Sequence, residues 1–83
     1  MPYIKEKQRQ KIAAGEKPAD AGELNYAITT LLLDYLQAKG ESYASYNEIM
    51  GVLNCVTHEF YRRGAVPYED KKIAENGDLP FHK

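Results

Sequence analysis

The chain is poor in the features that usually hold a small protein together or announce its chemistry. It has a single cysteine, Cys55, in 83 residues, so no disulfide can form within it. That cysteine and two histidines are too few for a structural zinc shell, and no metal site is expected. Charge of one sign is also lacking. Eleven basic and twelve acidic residues leave a formal net charge of −1, which gives no whole-chain field for steering onto nucleic acid or an anionic membrane. The unbroken aliphatic run Leu31 to Leu33 is far too short to span a bilayer, and the opening MPYIKEKQRQKIAAG has no apolar stretch of a secretory signal. A cytoplasmic protein with no membrane partner is the expectation. Paired carboxylates at catalytic spacing, a glycine loop that cradles phosphate and a Ser/His/Asp set are all missing as well. Neither enzyme activity nor a cofactor is therefore expected.

Tyrosine is what the chain has instead. Seven are present and no tryptophan. A tyrosine offers a flat apolar face and a hydroxyl, which suits wet interfaces and ligand sites as well as cores. Eighty-three residues make one domain, residues 1–83. A domain of this size buries only about 60% of the surface its unfolded chain exposes, so its core is marginal. With disulfide and metal set aside, self-association is the remaining support, and a homo-oligomer is expected.

The periodicity is helical throughout. Residues 5–14 predict a short helix ended by Gly15 and docked by Ile4 and Ile12, and GEKPADAG reads as a connector. Over residues 23–39, Leu24, Ala27, Ile28, Leu31, Leu32, Tyr35 and Leu36 form one wide apolar stripe, closed by Gly40. Ser45 with Glu48 matches a capping box and predicts a helix over 46–63, with Ile49, Val52, Leu53, Val56 and Phe60 as its buried stripe. Gly64 is expected to end that helix. Pro67 then opens a last one over 67–76, which NGD at 76–78 stops, and LPFHK is left as an extended tail. The link GESYAS is short, which favours antiparallel neighbours. The fold class is all-α: an antiparallel helical hairpin with a short helix at each end, oligomeric. Asn25 and Thr29 sit four apart, and Asn25 is expected to cap its helix or bond across to the next one.

The segment EFYRRGAVPYEDKKIAENGD, residues 59–78, holds four basic residues, five acidic ones and three aromatics in twenty positions. One reading is solvation alone, with Glu69 and Lys72, and Glu59 with Arg62 or Arg63, as weak surface pairs. The sharper reading is a site. Arginine pairs two-pronged with phosphate and stacks on aromatic rings, so arginine beside tyrosine suits a nucleotide. A tight turn at Gly64 would bring Tyr68, Lys71 and Lys72 back beside Tyr61, Arg62 and Arg63. These six are the candidate ligand-binding residues, as a wall shared between subunits. Tyr26 and Leu33 share a second face of their helix and, with Tyr43 and Tyr46, are candidate interface residues for a host protein. Gly51, Cys55, His58 and Arg62 recur at helical spacing. One Cys–His pair on parallel side chains makes neither a metal shell nor a nucleophile with its base, so Cys55 is expected to be a packing residue and His58 a solvated or interface one.

MPYIK, GELNYAITTLLLDYL and EFYRRGAVPYEDKKIAENGD together resemble a family of short prokaryotic and phage-encoded proteins, described only as a domain of unknown function, over nearly the whole chain. This chain departs from that pattern at Asn54 and Thr57, where an acidic and a basic residue are expected. The resemblance implies a compact helical protein of mobile or viral genomes, acting in the host cytoplasm where phage-encoded, and supplies no catalytic residue. By analogy with small phage proteins that sequester nucleotide signals of host defence, an oligomeric sponge is the first functional expectation. A protein–protein adaptor or inhibitor of a host protein is the second. A nucleic-acid accessory protein, with Lys5, Lys7, Arg9 and Lys11 as a basic face, is the third and weakest, because the acid is interleaved and no reading helix is recognisable.

Overall fold

A computed structural model describes residues 4–81, and every regular element among them is helical. The elements are α1 (Glu6–Ala13), α2 (Ala21–Lys39), α3 (Tyr43–Phe60), a π-helical turn (Tyr61–Ala65) and α4 (Val66–Asn76). The chain divides into two compact units, Met1–Tyr46 and Asn47–Lys83. The expected tail LPFHK is described only as far as Phe81; His82 and Lys83 lie outside the described residues, as do the first three residues of MPYIK.

In the first unit, polar side chains pin α1 to the start of α2. Lys5 N–H donates to Gln8 Oε1 at 2.8 Å, which satisfies one open donor at the start of α1. Gly15, at φ 93°, lets the chain leave α1, with its N–H on the Ile12 carbonyl at 3.0 Å and Glu16 N–H on that of Lys11 at 3.1 Å. Asp20 caps α2 by accepting from Glu23 N–H at 2.8 Å. Glu23 is the buried centre, only 3% exposed. Its carboxylate accepts from Ala19 N–H at 3.0 Å and Gln8 Nε2 at 2.9 Å, and Lys11 Nζ stands 3.7 Å away. Beside this cluster Ile4 is buried and Ile12 half-buried, as the docking of α1 requires. Gly22 permits that docking, because a Cβ there would lie 2.9 Å from Ile4 Cγ2.

The start of α3 lies one turn earlier than Ser45 predicts. Ser42 Oγ accepts from Ser45 N–H at 3.0 Å, the geometry of a cap, while the Ser45 hydroxyl reaches back to the Gly40 carbonyl at 2.9 Å. Ser45 is a buried helical residue, not the cap. Asn25 likewise acts locally, accepting from Thr29 Oγ1 at 3.1 Å on its own helix.

In the second unit the helix does not stop at Gly64. Glycine with positive φ occurs only at Gly15, Gly40 and Gly77 among the described residues, and Gly64 stays helical. Val66 N–H donates to the Tyr61 carbonyl five residues back, so one residue is accommodated as a wide turn and the run continues to Asn76. Pro67 supplies the physical reason. Its ring crowds the carbonyl four residues back, that of Arg63, and it brings no N–H; a wider turn relieves the crowding without breaking the helix.

Burial departs most from the sequence expectation. Leu24, Ile28, Leu31 and Tyr35 on α2 are exposed, and so are Val52, Val56 and Phe60 on α3. Ile49 is buried and Leu53 half-buried. Helical periodicity marks a face that needs cover and does not say what covers it.

The first unit can be probed at two residues. Gly22→Ala gains up to about 1 kcal/mol of helix propensity but overpacks Ile4 by roughly 1–3 kcal/mol, so α1 should loosen, read as faster amide exchange over residues 6–13. The bond from Ala19 N–H, then that from Gln8, holds the Glu23 carboxyl below its ordinary value. Its stabilisation is thus complete above the ordinary carboxylate range and lost as pH falls through the lowered one. Protection of the α1 amides, taken relative to their intrinsic exchange rates, should fall on acidification, and Glu23→Gln should flatten that dependence; an unchanged profile in the variant would refute the role.

Candidate functional site

The six candidate ligand residues lie on one continuous helical run of the second unit, not on two arms of a turn. Tyr61, Arg62 and Arg63 belong to the π-turn, and Tyr68, Lys71 and Lys72 to α4. All six are exposed. Consecutive helical residues point in different directions, so Arg62 and Arg63 do not face one spot, and neither do Lys71 and Lys72. The tight turn expected to fold Tyr68, Lys71 and Lys72 back over the arginines does not exist. Its proposed cause, Gly64, is an ordinary helical residue here, and an added Cβ there would meet only the Phe60 ring, at 3.8 Å.

The local pairing separates these cations. Arg63 Nη1 donates to Glu59 Oε1 at 3.2 Å, the expected partner one turn back. Lys72 pairs with Glu75 at 3.6 Å rather than with Glu69, and its ammonium stands 5.5 Å from the centre of the Tyr68 ring. Both pairs are solvated and contribute little to stability. The side chains of Arg62 and Lys71 make no hydrogen bond or ion pair among the described residues. The segment therefore presents two unneutralised cations, a lysine already seated on a tyrosine face, and Tyr61 exposed beside them.

The second candidate set is divided as well. Tyr26 is half-buried, whereas Leu33 is 48% and Tyr43 83% exposed. Tyr46 donates its hydroxyl to Glu41, and that bond raises the phenol above its ordinary value, burial and the carboxylate charge adding to it. His58 is exposed, as expected for a solvated residue. Cys55 is exposed too, which corrects its assignment to packing: it borders an open face and has no interior to fill. No group of three or more potential metal ligands gathers among the described residues.

One surface was not singled out in the sequence. Val56, Phe60 and Gly64 form a shallow apolar face on the second unit, bordered by Cys55, Glu59 and Arg63. The signal available was the i, i+4 spacing of Glu59 and Arg63 alongside Val56 and Phe60, which places a carboxylate and a guanidinium along one edge of an apolar stripe.

No described helix is long and apolar enough to cross a membrane. No curated protein and no solved structure matches the chain. One family model matches residues 1–79, nearly the full length. By that match the chain belongs to the family described as Domain of unknown function (DUF6899).

Proposed function

We propose that this is a small non-enzymatic binding protein that works as an assembly of copies and holds a nucleotide-type anion. The observation that carries the reading is the exposed segment 61–72. It combines free Arg62 and Lys71 with the rings of Tyr61 and Tyr68 on a helix that also bears an uncovered apolar face. Guanidinium and ammonium groups meet phosphate, and a tyrosine face takes a base. A single helix has no concavity, so the remaining walls come from other copies. Arg62 and Lys71 then meet phosphates and Tyr61 or Tyr68 stacks. Sequestration of a nucleotide signal in the cytoplasm, against host defence where the gene is phage-borne, is the role such a protein would serve. Calorimetry with linear and cyclic nucleotides should give saturable heat, weakened about tenfold or more by Arg62→Ala, since hydrogen bonds to charged groups are worth roughly 1.5–3 kcal/mol. Absence of heat with every nucleotide would sink the reading.

A second reading rests on Leu33, a large apolar residue left half open, and on the exposed Tyr43. An adaptor or inhibitor of a host protein would grip through these two, with Tyr26 and Tyr46 beside them. A host protein retained from lysate by the native chain should be lost with Leu33→Asp. Equal retention by both chains would dismiss this surface.

A further inference from the structure

We infer that the exposed face of α3 is an antiparallel interface with a second copy of this chain, self-paired through Glu59 and Arg63. The inference builds on the assembly proposed above but not on its ligand. Val56 is 54% exposed and Phe60 77%, one turn apart along one side of the helix, and Gly64 continues that side. The second unit, from Asn47 onward, is one continuous helical run and a short tail, with no second helix of its own to lay over them. With a two-fold axis beside Tyr61, Val56 of one copy lies level with Val66 of the other and the two Phe60 residues lie on either side of the axis, so an identical copy covers the stretch from Val56 to Gly64.

Charge selects both the partner and the direction. Glu59 and Arg63 border the same edge of the face and already lie 3.2 Å apart within one chain. The edge therefore carries one negative and one positive group. When two copies of a helix pack antiparallel about a two-fold axis, each edge meets the same edge of its partner, in reverse order. With the axis beside Tyr61, Glu59 of one copy faces Arg63 of the other, and the contact repeats on the far side of the axis. Packed in parallel, this edge would meet the opposite edge, and the pairing would be lost. Edge charges fix orientation in packed helices in this way. Gly64 adds room. The spot it leaves bare lies beside the Phe60 ring, where a partner's ring can approach the backbone closely.

The contact also joins the two segments that carry the candidate cations. Tyr61 sits at the axis, so residues 61–63 of both copies run side by side, and an anion bound there would meet groups from two chains.

Sedimentation of the full chain at micromolar concentration, with no nucleotide present, tests the interface. A dimer is expected. Val56→Glu should yield a monomer, with helicity by circular dichroism showing that the chain still folds. Arg63→Glu sets like charges against each other in the antiparallel pair and should weaken the dimer by about tenfold or more. The exchange Glu59→Arg with Arg63→Glu restores opposite charges and should return the affinity to within about threefold of native. A native chain that sediments as a monomer would overturn the inference. So would an Arg63→Glu dimer as tight as native, or a double exchange no tighter than the single one. Because ligand is absent throughout, failure of nucleotide binding leaves these results intact, and an Arg62→Ala chain should still dimerise.

Discussion

A helix with an apolar stripe has to cover it, and this chain has very little with which to do so. Among the described residues only Ile4 and Ile49 are buried hydrophobic side chains, joined by the polar Glu23 and Ser45. Apolar burial contributes about 25 cal/mol per Å², and two side chains supply little of it. Local devices hold each element instead: the Asp20 cap, the Ser42 cap, the positive-φ glycines at helix ends and the widened turn ahead of Pro67. They fix where helices begin and end, and leave much of the stripes exposed.

The first unit solves its part of the problem with a polar centre. Glu23 tolerates burial because every oxygen on it has a donor, from the Ala19 backbone, Gln8 and the nearby Lys11. Such a centre gives geometry more than energy. It sets α1 against α2 at the one place where Gly22 leaves space for Ile4. Among its described residues the second unit has no buried charged side chain, and Val52, Val56 and Phe60 stay exposed.

Helix content was legible in the sequence because stripes, caps and glycines are local signals. The first helix, its isoleucine docking and the stop at Gly40 came from those signals alone. Two boundaries did not. Ser42 and Ser45 both offer a capping hydroxyl, and the pattern with Glu48 favoured the wrong one. Gly64 and Pro67 are breakers by composition, yet three residues apart they permit a wide turn through which the helix runs on. The candidate ligand residues were legible as a group by chemistry, and their arrangement was not, because it hung on the turn that Gly64 was expected to make. Exposure of Val52, Val56 and Phe60 was beyond the sequence altogether. A stripe looks the same whether its cover comes from the same chain or from another.

The widened turn at Tyr61–Ala65 sets the rotational phase between the last turns of α3 and the whole of α4. Each α-helical residue advances the face by about 100°, so a one-residue deletion within the turn would swing Tyr68 and Lys72 around the helix relative to Val56 and Phe60. A length change of that kind in a relative would thus rewire which tyrosine and lysine accompany the hydrophobic row, even with every side chain retained.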